Sequence, residues 1–505
     1  MGSVTLPLDL KQYIGPEEIL TSSQLVERVT ANKMAPPSAR QLIRRNSEAQ
    51  GIWRSQHLVL PGGGRLFCHA GFRRNDRFFT TILPVLDEFR PGIARLVRAV
   101  MAESVVLYPR AEQLLASPVI PDNSSYPYSG HDIDALTELG LGRLEADDSV
   151  LKRFSADSLD LATSHALAIR SNARFLAEVA LARILFEQLR HQNVISWNKK
   201  AMPDKAASLV SFNNFLFSAT GFSWLRPMLR FNKSEKPKAT PAVLDVIAKL
   251  CEVYDVDSFA ERIQRAGQNK NSKLAILGII AAFDFTKAAW KKAKAEGYVA
   301  INLRQHFGDA AFEALVVVQE ILKNVAGEPA KAKDEDYQKL ADTLEQLKCN
   351  PYVVDLRSLG FESVSGLLLR TKGYENVQLN LKVAHDSGEE REVDVCGDRN
   401  GRSELFVVEC KAESSNKMLA GEFVQKFYTE TVPAYLKSMS AGGPKECRAE
   451  IWTTGQVGDE AKSALSQIKM SALIKPAMLG HEDVKSLVPK SLGSCKRLLE
   501  AISAH

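Results

Sequence analysis

The sequence predicts a multidomain chain: α+β modules at the N-terminus, a helical middle region, and a C-terminal α/β domain built on a mixed sheet. Three observations carry this prediction. A length of 505 residues suggests roughly three or four domains. Apolar residues recur at helical period through much of the first two thirds, interrupted near residues 52–70 by short strand-like runs. The last third reads as helix, three strands, helix, strand, an order that suits a meander extended by a crossover strand. The expected divisions are 1–75, 76–155, 156–345 and 346–505.

Bulk properties narrow the class. Hydrophobic residues make up 45% and charged residues 25%, the balance of an ordinary globular protein. The net charge of +5 says little by itself, but residues 33–77 hold nine Lys or Arg against Glu48 and Asp76. Seven scattered cysteines without a C-x-x-C pair argue against a disulfide framework and against zinc. The N-terminus lacks a signal-peptide pattern, and the longest apolar run, 274–283, is too short to span a bilayer. A cytoplasmic protein with no membrane contact is the expectation.

The first module opens with Thr21, Ser22 and Ser23 as N-caps for a helix carrying Leu25, Val26 and Val29. Pro36, Pro37 and Ser38 start a second helix with Leu42 and Ile43 inward and Arg40, Arg44 and Arg45 outward. Strand-like runs at 52–60 and 65–70 flank the turn Pro61-Gly62-Gly63-Gly64. Helix, turn, helix and a two-stranded wing together resemble the winged-helix family. That resemblance implies DNA contacts from Ser38, Arg40, Gln41, Arg44 and Arg45, with Arg65 reaching the backbone from the wing. No phosphate-loop pattern follows the glycines, so a hairpin turn is their expected role.

Residues 76–155 partly repeat this layout and suggest a second winged helix, with 118–130 as a loop. Residues 156–325 are expected to be helical, including a buried core helix at 274–283, with a basic interruption at 232–241. Residues 324–336 read as a linker and 337–347 as a helix.

The C-terminal domain carries the chemistry. A helix is expected over 358–370, strands over 376–384, 391–396 and 404–411, a helix over 417–436, a strand over 448–453, and helical material thereafter. Strand alternation puts Glu409 and Lys411 on one face of the third strand, opposite Phe406, Val408 and Cys410. On the preceding strand Glu392 and Asp394 share a face, away from Val393 and Val395. In a meander Asp394 comes beside Glu409. Two carboxylates converging with a lysine form a hard oxygen site for a divalent cation.

Glu392-Val393-Asp394, followed by a turn and by Phe406-Val407-Val408-Glu409-Cys410-Lys411-Ala412, resembles the PD-(D/E)xK nucleases of restriction-endonuclease-like fold. Leu359-Gly360-Phe361-Glu362 with Gly373-Tyr374 looks like the opening helix of the Mrr-type restriction enzymes and the archaeal Holliday-junction resolvases. Glu392 stands where the family name has proline. Gln425 and Tyr428 lack the regular spacing of the RecB-like branch. The resemblance covers roughly residues 350–455.

It implies a magnesium-dependent phosphodiesterase, with manganese able to substitute. Asp394, Glu409 and Glu362 would then hold metal, and Lys411 would orient water or stabilise charge on the phosphate. The implied activity is that of a DNA endonuclease in restriction or anti-phage defence. A homodimer is expected where both strands are cut, and the helical middle offers a place for a protein partner. The competing reading is a DNA-binding or partner-dependent regulatory protein that keeps the nuclease fold as a scaffold.

Overall fold

The computed structural model describes residues 9–504 except 32–33, 75–76, 120–128, 144–152, 157–158, 198–208, 226–228, 232–236, 270–271, 328–332, 347–352, 386–389 and 440–443. Most of the expected 118–130 loop, and parts of 232–241 and of the 324–336 linker, lie outside these residues. The chain is multidomain, with helices, several sheets and a C-terminal five-stranded mixed sheet. Among the described residues no helix is long and apolar enough to cross a membrane.

In the first module β1 (Leu20–Thr21) leads into α1 (Ser22–Thr30), α2 (Pro36–Asn46), β2 (Ile52–Arg54) and β3 (Leu66–His69). Thr21 and Gln24 close a reciprocal capping box on α1, and Pro36 opens α2, where its missing N–H costs nothing. Leu25, Val29, Ala39 and Ile43 turn inward to one small core. The wing is shorter than the sequence suggests. Only 52–54 of the expected 52–60 strand forms, as β2, and only 66–69 of the expected 65–70, as β3, with 67–69 paired to β2 and Leu66 to β1. The reason is Glu138, whose carboxylate accepts the backbone N–H groups of Gln56, His57 (2.6 Å) and Leu58 (2.9 Å). Those donors are satisfied by a side chain from the next module, so no ladder is needed there.

The second module contains α3 (Arg77–Phe89), α4 (Pro91–Glu103), β4 (Val105–Leu107), α5 (Tyr108–Leu115), α6 (Ser129–Glu138), β5 (Leu141–Arg143) and β6 (Arg153–Ala156). Its sheet order, β4-β6-β5, matches the β1-β3-β2 order of the first module, with the third strand in the middle of each. On α5, burial pushes the Glu112 carboxyl up to about 7. A raised carboxyl favours the protonated fold, so its contribution is full below the ordinary value and is lost as pH rises through about 7. Glu112→Gln is therefore expected to leave the melting temperature unchanged near pH 4. Near pH 8 it should stabilise by about 1 kcal/mol after discounting partial exposure. Melts across a pH series check this, and equal curves at pH 8 would refute it.

The middle region is not helical throughout, which corrects the sequence reading. After α7 (Leu161–His191) come the hairpin β7 (Val210–Phe212) and β8 (Phe215–Phe217), β9 (Ala219–Ser223), and the hairpin β10 (Arg230–Phe231) and β11 (Pro237–Lys238). Then follow β12 (Thr240–Cys251), α8 (Val253–Gly267), the hairpin β13 (Gln268–Asn269) and β14 (Ser272–Lys273), and β15 (Leu277–Phe285). The last part is α9 (Lys287–Ala295), β16 (Val299–Asn302), α10 (Leu303–Phe307) and α11 (Asp309–Gly327). The four-stranded sheet β16-β15-β12-β9 is parallel except at β9. Most of the apolar run expected as a core helix is strand β15. Parallel strands covered on both faces lose the period-2 signature, so their continuous apolar runs resemble buried helix.

The C-terminal domain follows α12 (Asp334–Gln346). It comprises α13 (Val353–Thr371), β17 (Glu375–Ala384), β18 (Glu390–Arg399), β19 (Glu404–Lys411), α14 (Gly421–Lys426), a π turn at Phe427–Thr431, and α15 (Val432–Ser438). Next come β20 (Glu446–Thr453), α16 (Asp459–Gln467), β21 (Ile474–Leu479), α17 (His481–Leu487) and α18 (Gly493–Ser503). The sheet order is β17-β18-β19-β20-β21, antiparallel as far as β19 and parallel beyond. β21 is a strand where only helical material was expected. It lies at the sheet edge, where Pro476 lacks the N–H of a ladder donor and is tolerated. One core runs without a break from α7, β12 and β15 into α13, β19 and α18, so the middle and C-terminal domains share it.

Candidate active site

β18 and β19 part company at the chemistry. Their ladder runs from Arg399↔Glu404 to Val395↔Val408 and ends one residue before Asp394 and Glu409. Beyond that point β18 pairs only with β17, while β19 continues along β20 to Lys411↔Thr453. A fork in the sheet results, with Asp394 on one arm and Glu409 on the other. Across it the Cys410 N–H donates to Asp394 Oδ2 at 2.7 Å, so a side chain replaces the missing backbone acceptor.

The alternation of β19 is as expected. Leu405 and Val407 enter one core and Phe406, Val408 and Cys410 the other, which leaves Glu409 and Lys411 on the Val407 face. β18 differs. Val393 and Val395 were expected on one face, yet they lie in different cores. The alternation therefore slips at Asp394. Across from it, between the pairs Leu379↔Val395 and Leu381↔Val393, Asn380 adopts a left-handed backbone with φ +54. Irregularities of this kind re-aim side chains beside functional sites.

Lys411 is buried and bonds Glu409 Oε1 at 2.5 Å, with its ammonium 4.4 Å from the centre of the Phe423 ring. Burial alone would lower the ammonium, but Glu409 and Asp394 outweigh it and hold Lys411 above the usual lysine range. Asp394 keeps a little exposure, yet its carboxyl is pushed well above the usual range, first by desolvation and then by Glu409 and Glu362. Lys411 opposes that push. Glu362 is buried on α13, and Asn380 Nδ2 donates to its Oε2 at 3.0 Å. Asp394 thus feels three other carboxylates, Glu409, Glu362 and Glu392, around a single lysine. Excess negative charge of this kind is what a hard divalent cation would neutralise, and the oxygen donors suit magnesium. Among the described residues, no three His, Cys, Asp or Glu side chains stand close enough together to grip one ion.

Of the other residues singled out, Tyr428 is structural: it is buried, with its hydroxyl against the carbonyls of Ala449 and Ala477. Gln425 is exposed. Cys410 turns away toward Ser365 Oγ, 3.3 Å distant, and is no competing ligand. Asn380 and Phe423 were not legible as site residues. Asn380 set between Leu379 and Leu381 was the available signal for the first. Phe423 is 45% exposed and leaves an apolar edge beside Lys411.

At the other end of the chain, Arg40, Gln41, Arg44 and Arg45 all stand exposed on α2, clear of buried Ala39 and Ile43. Arg65 is engaged within its own wing, donating to the Gln56 carbonyl. No protein-family model matches the chain, and no curated protein matches it either.

Proposed function

We propose that this chain is a metal-dependent DNA endonuclease of the PD-(D/E)xK type, guided to duplex DNA by winged-helix modules at its N-terminus. The observation that carries the reading is the fork between β18 and β19, which brings Asp394, Glu409 and Lys411 to one place. A scaffold has no physical need for a half-buried charge cluster at the end of an apolar strand, since uncompensated charge there costs several kcal/mol on a rough scale.

Asp394 and Glu409, with water completing the shell, would hold magnesium or manganese, and Glu362 would add negative charge beside the ion without completing a three-carboxylate grip. Bound there, the ion supplies Lewis acidity toward the scissile phosphate and a more acidic attacking water. Lys411, kept protonated by its neighbours, meets the charge that grows on the phosphate oxygens. Glu409 fixes the ammonium by its 2.5 Å contact, and Asn380 steadies Glu362. Phe423 gives the site an apolar lip against which a sugar or base can rest.

The shared strand order of the first two modules supports reading both as winged helices. In the first, α2 would enter the groove with Arg40, Gln41, Arg44 and Arg45 outward. Reversing Arg44 and Arg45 to Glu should flatten the dependence of log K on log salt by roughly 1 per arginine. An unchanged slope would mark these arginines as a solvated face. Restriction or defence against foreign DNA is the context this combination fits.

A regulatory protein on a nuclease-like scaffold is the second reading. It draws on the absence, among the described residues, of three ligands close enough to grip one ion. Incubating purified protein with plasmid DNA, with and without magnesium, separates the two. Cleavage only with the metal supports the endonuclease. Binding without cleavage, and no calorimetric signal for magnesium, supports the scaffold.

A further inference from the structure

The middle and C-terminal sheets follow one plan. In the C-terminal domain α13 precedes β18 and β19, α14 and α15 lead to β20, α16 leads to β21, and α17 and α18 close the unit. In the middle domain α7 precedes β9 and β12, α8 leads to β15, α9 leads to β16, and α10 and α11 close the unit. Apart from the additional edge strand β17, the strand orders β18-β19-β20-β21 and β9-β12-β15-β16 share one polarity pattern, antiparallel, then parallel, then parallel. A detail recurs as well. Just past the ladder, Thr454 N donates to Lys411 O and Thr286 N donates to Cys251 O, both at 3.0 Å. The opening helices α7 and α13 contribute to the same core.

That repeated hydrogen bond sets Cys251 against Lys411. Counting back along the ladders, Ile247, the partner of Ala282, falls at Val408, the partner of Glu450. The place of Glu409 then goes to Ala248 and Lys249, inside the register shift of β12. A lysine stands where the C-terminal site has a carboxylate, and a buried thiol stands where it has the lysine. The surroundings are closed by ion pairs. Lys249 bonds Glu103 at 2.6 Å, Arg110 bonds Asp255 at 2.5 Å, and Arg174 also bonds Glu103. Glu178 on α7 accepts the Ala248 N–H at 2.9 Å. Arg262 likewise pairs with buried Asp245, so among the described residues these carboxylates already face cations and leave no surplus of negative charge for a divalent ion.

We propose that the middle domain is a second nuclease-like fold without a metal site, joined to the first through their shared core, so that one chain holds one cutting centre and cleaves one strand of a duplex per encounter. This rests on the nuclease reading of the C-terminal domain. Double-strand breaks then require a second chain or a second encounter.

The test uses the full chain and its Asp394→Asn variant. Both are titrated with Mn2+, followed by electron paramagnetic resonance of the free ion, and the wild type is also given supercoiled plasmid with magnesium, protein limiting. The expected result is that all saturable Mn2+ binding disappears in the variant, and that open circles accumulate before linear plasmid. Retention of about half the bound Mn2+ in Asp394→Asn would overturn the proposal while the nuclease reading stands. So would linear plasmid formed without an open-circle stage by protein that sedimentation shows to be monomeric. A wild type that neither binds Mn2+ nor cuts overturns the nuclease reading and this proposal with it.

Discussion

Asp394→Asn is expected to lower magnesium-dependent cleavage by about a thousandfold, while DNA affinity stays within about twofold. The substitution keeps the shape of the side chain and an oxygen that can accept the Cys410 N–H, so the fork should persist. What it removes is the charge. Its effect on stability has a definite sign. Burial, Glu409 and Glu362 hold the Asp394 carboxyl above its usual value. Its contribution to the metal-free fold is therefore full at low pH and is lost as pH rises through the raised value. A neutral amide escapes that loss, so the metal-free variant should melt no lower than the wild type at neutral pH. Lys411→Ala should behave in the opposite way. It removes the cation that faces Glu409 and Asp394, so cleavage and melting temperature should fall together. Plasmid cleavage measured beside thermal melts separates these outcomes. An Asp394→Asn protein that cuts within tenfold of the wild-type rate would remove Asp394 from the chemistry.

The strands β17 to β20 were legible as short apolar-rich runs bounded by turn residues, whereas β21 reads as helical. The bounds expected for β19 agree with Glu404–Lys411. The fork was not legible. It depends on Asn380 entering a left-handed conformation and on the β18–β19 ladder ending at Val395, neither of which leaves a mark in hydrophobic period. The middle sheet was hidden by its own burial, since β12 and β15 are apolar on both faces over most of their length. In the wing, the residues that end the strand lie far from the one responsible. Gln56, His57 and Leu58 give their N–H groups to Glu138, about eighty residues later in the chain. Local pattern reasoning reaches contacts within an element and its neighbours; these three cases depended on strand pairing and long-range contacts.

Arg110→Met is expected to destabilise the chain by about 3–5 kcal/mol, because it strands a carboxylate at the seam between the second module and the middle domain. Arg110 lies on α5 and Asp255 on α8, both nearly inaccessible to solvent, and the pair is 2.5 Å apart. Arg110 also donates to Gln113 Oε1 at 3.0 Å. Without the guanidinium, Asp255 retains Lys249 at 3.5 Å and the Glu252 N–H at 2.9 Å. Lys249 is already shared with Glu103, so it offsets only part of the loss and the lower half of the range is the better expectation. Adding Asp255→Asn tests the cause. The amide keeps an acceptor for the Glu252 N–H and removes the stranded charge, so the double variant should recover at least about 2 kcal/mol relative to Arg110→Met alone. Urea unfolding of the wild type, both single variants and the double variant closes the cycle. Losses that simply add would show that Arg110 acts through packing, with no charge coupling to Asp255. The core of the second module and the core shared by the middle and C-terminal domains are separate clusters. Weakening the seam should therefore split the unfolding curve, the N-terminal modules melting first while the cutting domain holds. Cleavage of short DNA by Arg110→Met should then survive at temperatures where its salt-dependent binding to long duplex has already gone.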